Sequence, residues 1–88
     1  MTTTTFTFRR VGCAYRTSKH TTRWGGMVVY PTLDRAAFQI AGMGFQFPGR
    51  FATVAEAKAK ARTIGATFAA AATIEQFRAA VLVWGGQH

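Results

Sequence analysis

Residues 45–64, with the sequence FQFPGRFATVAEAKAKARTI, contain the change of periodicity that decides the fold. Up to Pro48 the apolar residues alternate with other residues, which is the period of a strand. From Thr53 onward they recur at helical spacing, and Glu56 follows Thr53 at the distance of a capping box. The segment therefore predicts a sheet that ends near Pro48 and a helix over residues 53–64.

A second helix is predicted over residues 73–84. Thr73 and Gln76 repeat the spacing of the capping box, and a Gly-Gly pair follows the last apolar position. Gly65 is interpreted as the residue that ends the first helix. Because the strand patterns precede both helices, the sequence predicts an α+β fold in which two helices pack on one face of an antiparallel sheet.

The sheet is expected to have three or four strands within about residues 4–48. The alternation of apolar residues shifts by one position at Arg9 and Arg10, which predicts a bulge that directs both arginines to solvent. Pro31 ends a later strand. Residues 41–44 fit either a bulge in one long strand or a tight turn between two short strands, and the bulge is the preferred interpretation.

Length and composition indicate one compact domain over residues 1–88. The hydrophobic share of 49% suffices for a core, whereas a chain of this size buries only about 60–65% of its unfolded surface, too little for a deep substrate cavity. Cys13 is the only cysteine and cannot form an intramolecular disulfide, so a cytoplasmic location is expected. No apolar run approaches the length of a transmembrane helix, so the chain is not expected to enter a membrane.

The charge is strongly basic and unevenly distributed. Eleven Lys and Arg residues against three acidic residues give a net charge of +8. Seven of the eleven cations lie in the first 50 residues, where Asp34 is the only acidic residue. A cationic surface of this kind attracts phosphate backbones or acidic proteins.

The same composition argues against catalysis, a metal site and a bound cofactor. The three acidic residues form no paired-carboxylate pattern that acid–base chemistry would need. Cys13 and His20 lack a neighbouring acid that would orient them as nucleophile and base. Gly42 and Gly44 are followed by aromatic strand residues rather than by the Lys-Ser or Lys-Thr of a phosphate loop. We therefore expect no enzyme activity.

The candidate binding residues are mainly cations of the first predicted hairpin, whose loop is the polar segment 17–22. Nucleic-acid surfaces combine cations for the phosphates with flat side chains for the bases. Arginine outnumbers lysine by eight to three and suits bidentate contacts. Lys58 and Arg62, one turn apart on the first helix, are expected to extend this basic surface. The candidate set is Arg9, Arg10, Arg16, Lys19, Arg23, Trp24, Arg50, Lys58 and Arg62.

Residues 49–61, GRFATVAEAKAKA, resemble the strand-to-helix junction of the arm-type DNA-binding domains of phage and plasmid tyrosine recombinases. The shared features are a glycine before an aromatic residue, a Thr cap and a Glu-Ala-basic start to the helix. The resemblance implies a three-stranded sheet with a packed helix, in which the sheet enters the DNA major groove. The sequence Phe47-Pro48-Gly49 followed by this helix is also similar to the HicB-type antitoxin fold.

Two functions are compatible with these observations. The first is a small, basic, non-enzymatic module that binds DNA or RNA through the Arg-rich N-terminal hairpin. The alternative is a phage or plasmid counter-defence inhibitor, of the anti-CRISPR type, that docks on an acidic surface of a host nucleoprotein complex and blocks it. A homodimer that pairs an exposed sheet edge is compatible with either function.

Overall fold

The computed structural model describes residues 6–87 and has the predicted α+β order, with a five-stranded antiparallel sheet followed by two helices. The expected start of the sheet near residue 4 lies outside the described residues. Consecutive strands are neighbours throughout the sheet. The elements are β1 (Arg9–Val11), β2 (Ala14–Arg16), β3 (Met27–Pro31), β4 (Phe38–Gly42), β5 (Phe45–Phe51), α1 (Val54–Ala70) and α2 (Ile74–Trp84).

The first strand pair is one reason why the sheet has five strands rather than three or four. β1 and β2 pair without irregularity, and Gly12 and Cys13 form the two-residue turn between them. Gly12 has a φ of +63°, a conformation that glycine adopts without steric cost. The predicted bulge at Arg9 and Arg10 is wrong, because the reversal of the chain at this turn causes the shift of the apolar pattern. Both arginines are nevertheless exposed.

The second correction concerns residues 41–44. Met43 and Gly44 form the turn between β4 and β5, with φ values of +55° and +85°, and Gly42 pairs directly with Phe45. Positive φ at both central positions is typical of a type I′ turn, whose twist matches that of a hairpin. The preferred interpretation of one long bulged strand is therefore wrong, and the alternative of a tight turn is correct.

β5 continues through Pro48 and Gly49, so the prediction that the sheet ends there is wrong. The register of β5 with β4 shifts between Phe47 and Phe51, and Gly49 within this irregular stretch has a φ of +114°. A proline lacks the N–H that a regular ladder requires, and a local irregularity accommodates it. Phe51 pairs again with Phe38 of β4, and α1 begins only after this pairing, at Val54.

Burial is concentrated on one face of the sheet, where the helices pack. Val29, Ile40 and Phe47 are cross-strand partners on β3, β4 and β5, and each is at most 1% exposed. Phe47 packs against a phenylalanine of α1 with 5.7 Å between ring centroids. The buried stripe of α1 consists of Ala57, Ala61, Ile64, Gly65 and Phe68. The opposite face of the sheet has no helix packed on it within the described part of the chain.

α1 runs through Gly65 to Ala70, so the prediction of a helix end at Gly65 is wrong. Gly65 is required for packing instead: a Cβ built at this position would lie 2.5 Å from two carbons of the buried Phe6 ring. Arg62 Nε donates to the Phe6 carbonyl at 3.3 Å and holds the same segment against the helix. Phe6 precedes β1 and is distant in sequence, so no local pattern indicates this contact.

α2 confirms the prediction for residues 73–84 to within one residue. The Thr73 hydroxyl accepts from the Gln76 N–H at 3.2 Å, and the Gln76 side chain accepts from the Thr73 N–H at 3.2 Å, which completes the predicted capping box. Gly85 ends the helix in the left-handed conformation. The Thr53 hydroxyl likewise accepts a backbone N–H in the first turn of α1.

The contact between Phe6 and Gly65 is testable by a double-mutant cycle. Gly65→Ala should destabilise the wild-type protein by about 1–3 kcal/mol, because the added Cβ overlaps the Phe6 ring. In a Phe6→Ala background the same change should stabilise the protein by about 0.5–1 kcal/mol, because alanine is the better helix former. Urea unfolding measures both free-energy differences. Stabilisation by Gly65→Ala in both backgrounds would contradict this packing.

Candidate functional site

The face of the sheet opposite the helices carries one continuous row of cross-strand partners. Directly paired residues of antiparallel strands point to the same face, and this row is out of phase with the buried Val29, Ile40 and Phe47. We call this surface the open face and the row the transverse row. With strands about 4.8 Å apart, the row spans about 24 Å. It consists of Arg9, Arg16, Val28, Ala41, Gln46 and Gln87.

Two directly opposed arginines form one end of the transverse row. Arg9 and Arg16 are cross-strand partners, both are exposed, and within residues 6–87 neither side chain has a hydrogen bond, ion pair or ring contact. Like charges in this position destabilise a sheet. Thr7, Thr17 and Ser18 line the same cavity, whose volume is about 460 Å³. This end of the row therefore offers guanidinium and hydroxyl donors to an anion.

The middle of the transverse row consists of short, apolar side chains. Val28 and Ala41 are half-buried. With Gly42 and Gly44 they border a shallow depression of about 380 Å³. A ligand that lies across the open face can approach the backbone at this point, because the side chains of Val28 and Ala41 are short.

Three carboxamides surround the other end of the transverse row. Gln39, Gln46 and Gln87 line a cavity of about 270 Å³ together with Arg50. Two backbone hydrogen bonds between Gln46 and Gln87, of 2.7 and 2.8 Å, hold the segment after α2 against the edge of β5. Tyr30 is the cross-strand partner of Gln39. Partial burial raises the pKa of the Tyr30 phenol, so its hydroxyl keeps the proton at neutral pH.

Arg50 is paired with Asp34 at the margin of the open face. Its Nη2 lies 3.3 Å from Asp34 Oδ2, and both side chains are largely exposed. The pKa of Asp34 is lowered, first by the hydrogen bond from the Thr32 hydroxyl, then by the Ala36 N–H, and further by the charge of Arg50. The carboxylate is therefore ionised at neutral pH and partly offsets the charge of Arg50.

Arg23 and Trp24 hold the junction between the two helices. Arg23 Nη1 donates to the Ala72 carbonyl at 2.8 Å, and Trp24 Nε1 donates to the Ala71 carbonyl at 3.0 Å. The Trp24 ring also contacts the Phe77 ring, with 4.6 Å between centroids. These bonds satisfy two carbonyls of the short connection between α1 and α2. Trp24 thus serves the fold on the helix side of the sheet.

Lys58 and Arg62 also lie on the helix side. Lys58 Nζ is 4.4 Å from the centroid of the Tyr15 ring, and Arg62 Cζ is 5.2 Å from that of Phe8. Both cations therefore contact aromatic rings. Their positive charge does not add to the open face.

The remaining candidates are Arg10 and Lys19. Arg10 Nε donates to a carbonyl of its own turn at 3.1 Å, and Lys19 is exposed in the loop between β2 and β3. Of the predicted binding residues, the structure brings Arg9 and Arg16 together on the open face and places Arg50 at its far margin. The others lie outside the strand positions of that face.

The sequence analysis missed the three glutamines of the open face. Strand alternation alone would have placed Gln39 and Gln46 opposite the buried phase of β4 and β5. No sequence pattern indicates the position of Gln87. It pairs with β5 because α2 and the two glycines after it direct the chain back to that strand.

Comparisons of the chain with protein-family models, with curated proteins and with solved structures find no match. Within residues 6–87, no three His, Cys, Asp or Glu side chains are grouped as metal ligands. None of the helices in this range has the length and apolar character needed to cross a membrane.

Removal of the carboxylate beside Arg50 should strengthen the attraction of the open face for a polyanion, for which duplex DNA serves as the probe. Asp34→Asn leaves Arg50 without its ion pair, so the log–log salt slope for duplex DNA should become steeper by up to about 0.9. Because the pKa of Asp34 is lowered, its carboxyl takes up a proton only at a pH below the ordinary range of an aspartate, and the wild type should match the variant only there. The measurement is fluorescence anisotropy at several salt concentrations.

The matched control is Glu75→Gln, which makes the same change of charge on the exposed surface of α2. It should leave the salt slope unchanged. Equal effects of Asp34→Asn and Glu75→Gln would show that net charge, rather than Arg50, governs the binding.

Proposed function

We propose that the protein binds nucleic acid, and duplex DNA in particular, on the open face of its sheet, without catalysing a reaction. The observation that carries this proposal is the directly opposed pair of Arg9 and Arg16, which are exposed and have no anionic partner within residues 6–87. Phosphate is the ligand group that such a pair suits, because guanidinium groups bind it through paired N–H donors.

Phosphate binding would offset the cost of the arginine pair. Two like charges on facing residues destabilise the sheet while they remain unpaired. Backbone phosphates beside them, one for each arginine, neutralise both charges and release the counterions condensed on the nucleic acid. Thr7 and Ser18 line the same cavity, and their hydroxyls add neutral donors.

The dimensions of the open face favour a duplex. Arg16 and Gln46 are three strand spacings apart, or about 14 Å, and the major groove of B-DNA is about 12 Å wide. Cations at one margin and Arg50 at the other are placed to contact two backbones. The part of the transverse row between these margins, from Val28 to Gln46, then faces the base edges.

A single strand fits the open face less well. Surfaces for single strands stack successive bases on several aromatic side chains. Among the strand positions of the open face within residues 6–87, Tyr30 is the one aromatic residue, since the other strand aromatics pack against the core. The resemblance of residues 49–61 to arm-type domains implies the same use of the sheet.

The test compares Arg9→Gln and Arg16→Gln with Arg78→Gln, which removes an exposed arginine of α2. Fluorescence anisotropy measures the affinity for a labelled duplex over a range of salt concentrations. Contacts from two or three arginines predict a wild-type log–log slope of about −2 to −3, and each open-face variant should reduce its magnitude by about 0.9. Arg78→Gln should leave the slope as in the wild type.

Equal losses in all three variants would remove the open face from the proposal, because net charge alone would then account for the binding. Absence of binding to duplex, single-stranded DNA and RNA at low salt would reject a nucleic-acid ligand. The counter-defence hypothesis predicts that second result, together with recovery of the protein bound to an intact host nucleoprotein complex.

A further inference from the structure

We infer that Gln39, Gln46 and Gln87 form a base-reading site on the open face, and that this site prefers adenine. The inference rests on the proposed binding of nucleic acid to that face. Base reading would be a second role of this face, distinct from phosphate contact, and it belongs to the end of the transverse row that is farthest from Arg9.

The concentration of carboxamides in one place is the primary observation. The chain contains four glutamines and no asparagine, and three of the four line a single cavity. They come from β4, from β5 and from the segment after α2, so the folded structure alone brings them together. The fourth, Gln76, has a structural role in the capping box of α2.

Hydrogen bonds fix the backbone around these glutamines, whereas their side-chain amides are free to bind a ligand. Gln46 and Gln87 are joined by a reciprocal pair of backbone hydrogen bonds, and Gln39 lies within the ladder between β3 and β4. Within residues 6–87 none of the three side-chain amides has a hydrogen-bond partner. The irregular stretch at Pro48 and Gly49 borders the same cavity of about 270 Å³.

The chemistry of the amide group favours adenine. A glutamine side chain donates one hydrogen bond and accepts another, and this pattern matches the N7 acceptor and N6 donor of adenine. Guanine is instead contacted by arginine or lysine, and cytosine by a carboxylate. The cation of this cavity, Arg50, is paired with Asp34. The amides are therefore the groups that remain available for a base edge.

The experiment measures anisotropy with three labelled duplexes of equal length. One contains alternating A·T pairs, one contains G·C pairs, and the third is the A·T duplex with 7-deazaadenine, which lacks the N7 acceptor. A bidentate contact predicts that the wild type binds the A·T duplex about fivefold or more tightly than the G·C duplex. The 7-deazaadenine duplex should lose this preference, although its pairing is unchanged.

Gln39→Met and Gln46→Met remove the amide and keep the approximate side-chain length. Each should lower the affinity for the A·T duplex toward that for the G·C duplex and leave the salt slope unchanged. Arg16→Gln serves as the contrasting variant, because it should weaken binding to all three duplexes alike and reduce the slope. Urea unfolding of each variant excludes loss of the fold as the cause.

Equal wild-type affinity for the A·T and G·C duplexes would overturn the base-reading site and leave the proposed function intact. Persistence of the preference with 7-deazaadenine, or in both glutamine variants, would also overturn it, because recognition would then depend on DNA shape. Failure of the wild type to bind any duplex at low salt would reject both the site and the proposed function.

Discussion

The burial of α1 against a single side of the sheet is the constraint on which the other features depend. Val29, Ile40 and Phe47 have their apolar partners on this side, among the small and aromatic residues of the α1 stripe. A sheet covered on one side only must fill its other face with residues that tolerate water or a ligand. The transverse row occupies that face, and its position is fixed because a one-residue slip would exchange the two sets of side chains.

The same constraint divides the cations into two groups. Most aromatic rings are taken up by the core and by the helix junction, as the contact between Trp24 and Phe77 illustrates. Lys58, Lys60 and Arg62 lie over aromatic rings on the helix side, where they contribute to packing as well as to charge. The arginine pair of the open face has no such partner among residues 6–87. Net charge therefore overstates the surface available to an anion, and the position of each cation is the more informative quantity.

Local chemistry determines how much of this structure the sequence predicts. The cap at Thr73 is a local signal and locates α2 correctly. Gly65 is misread because its packing partner, Phe6, is distant in the chain. The turn at residues 12–13 is missed and the turn at residues 43–44 is given only as the alternative, because neither has the usual Asn-Gly sequence. For the candidate site, the sequence indicates arginine as the residue type, but it does not indicate which arginines lie together on the open face. The strand register alone separates the cations that share the open face from those that pack on rings.

Side-chain NMR signals of the ¹⁵N-labelled protein test most directly whether the open face is the binding surface. The four glutamine amides provide an internal comparison, since three lie on the open face and Gln76 lies on α2. On titration with duplex DNA, the account predicts shifts of those three amides and of the Arg9 and Arg16 Nε–H signals, with Gln76 and Arg78 unchanged. Shifts of Gln76 and Arg78, with the open-face signals unmoved, would contradict it.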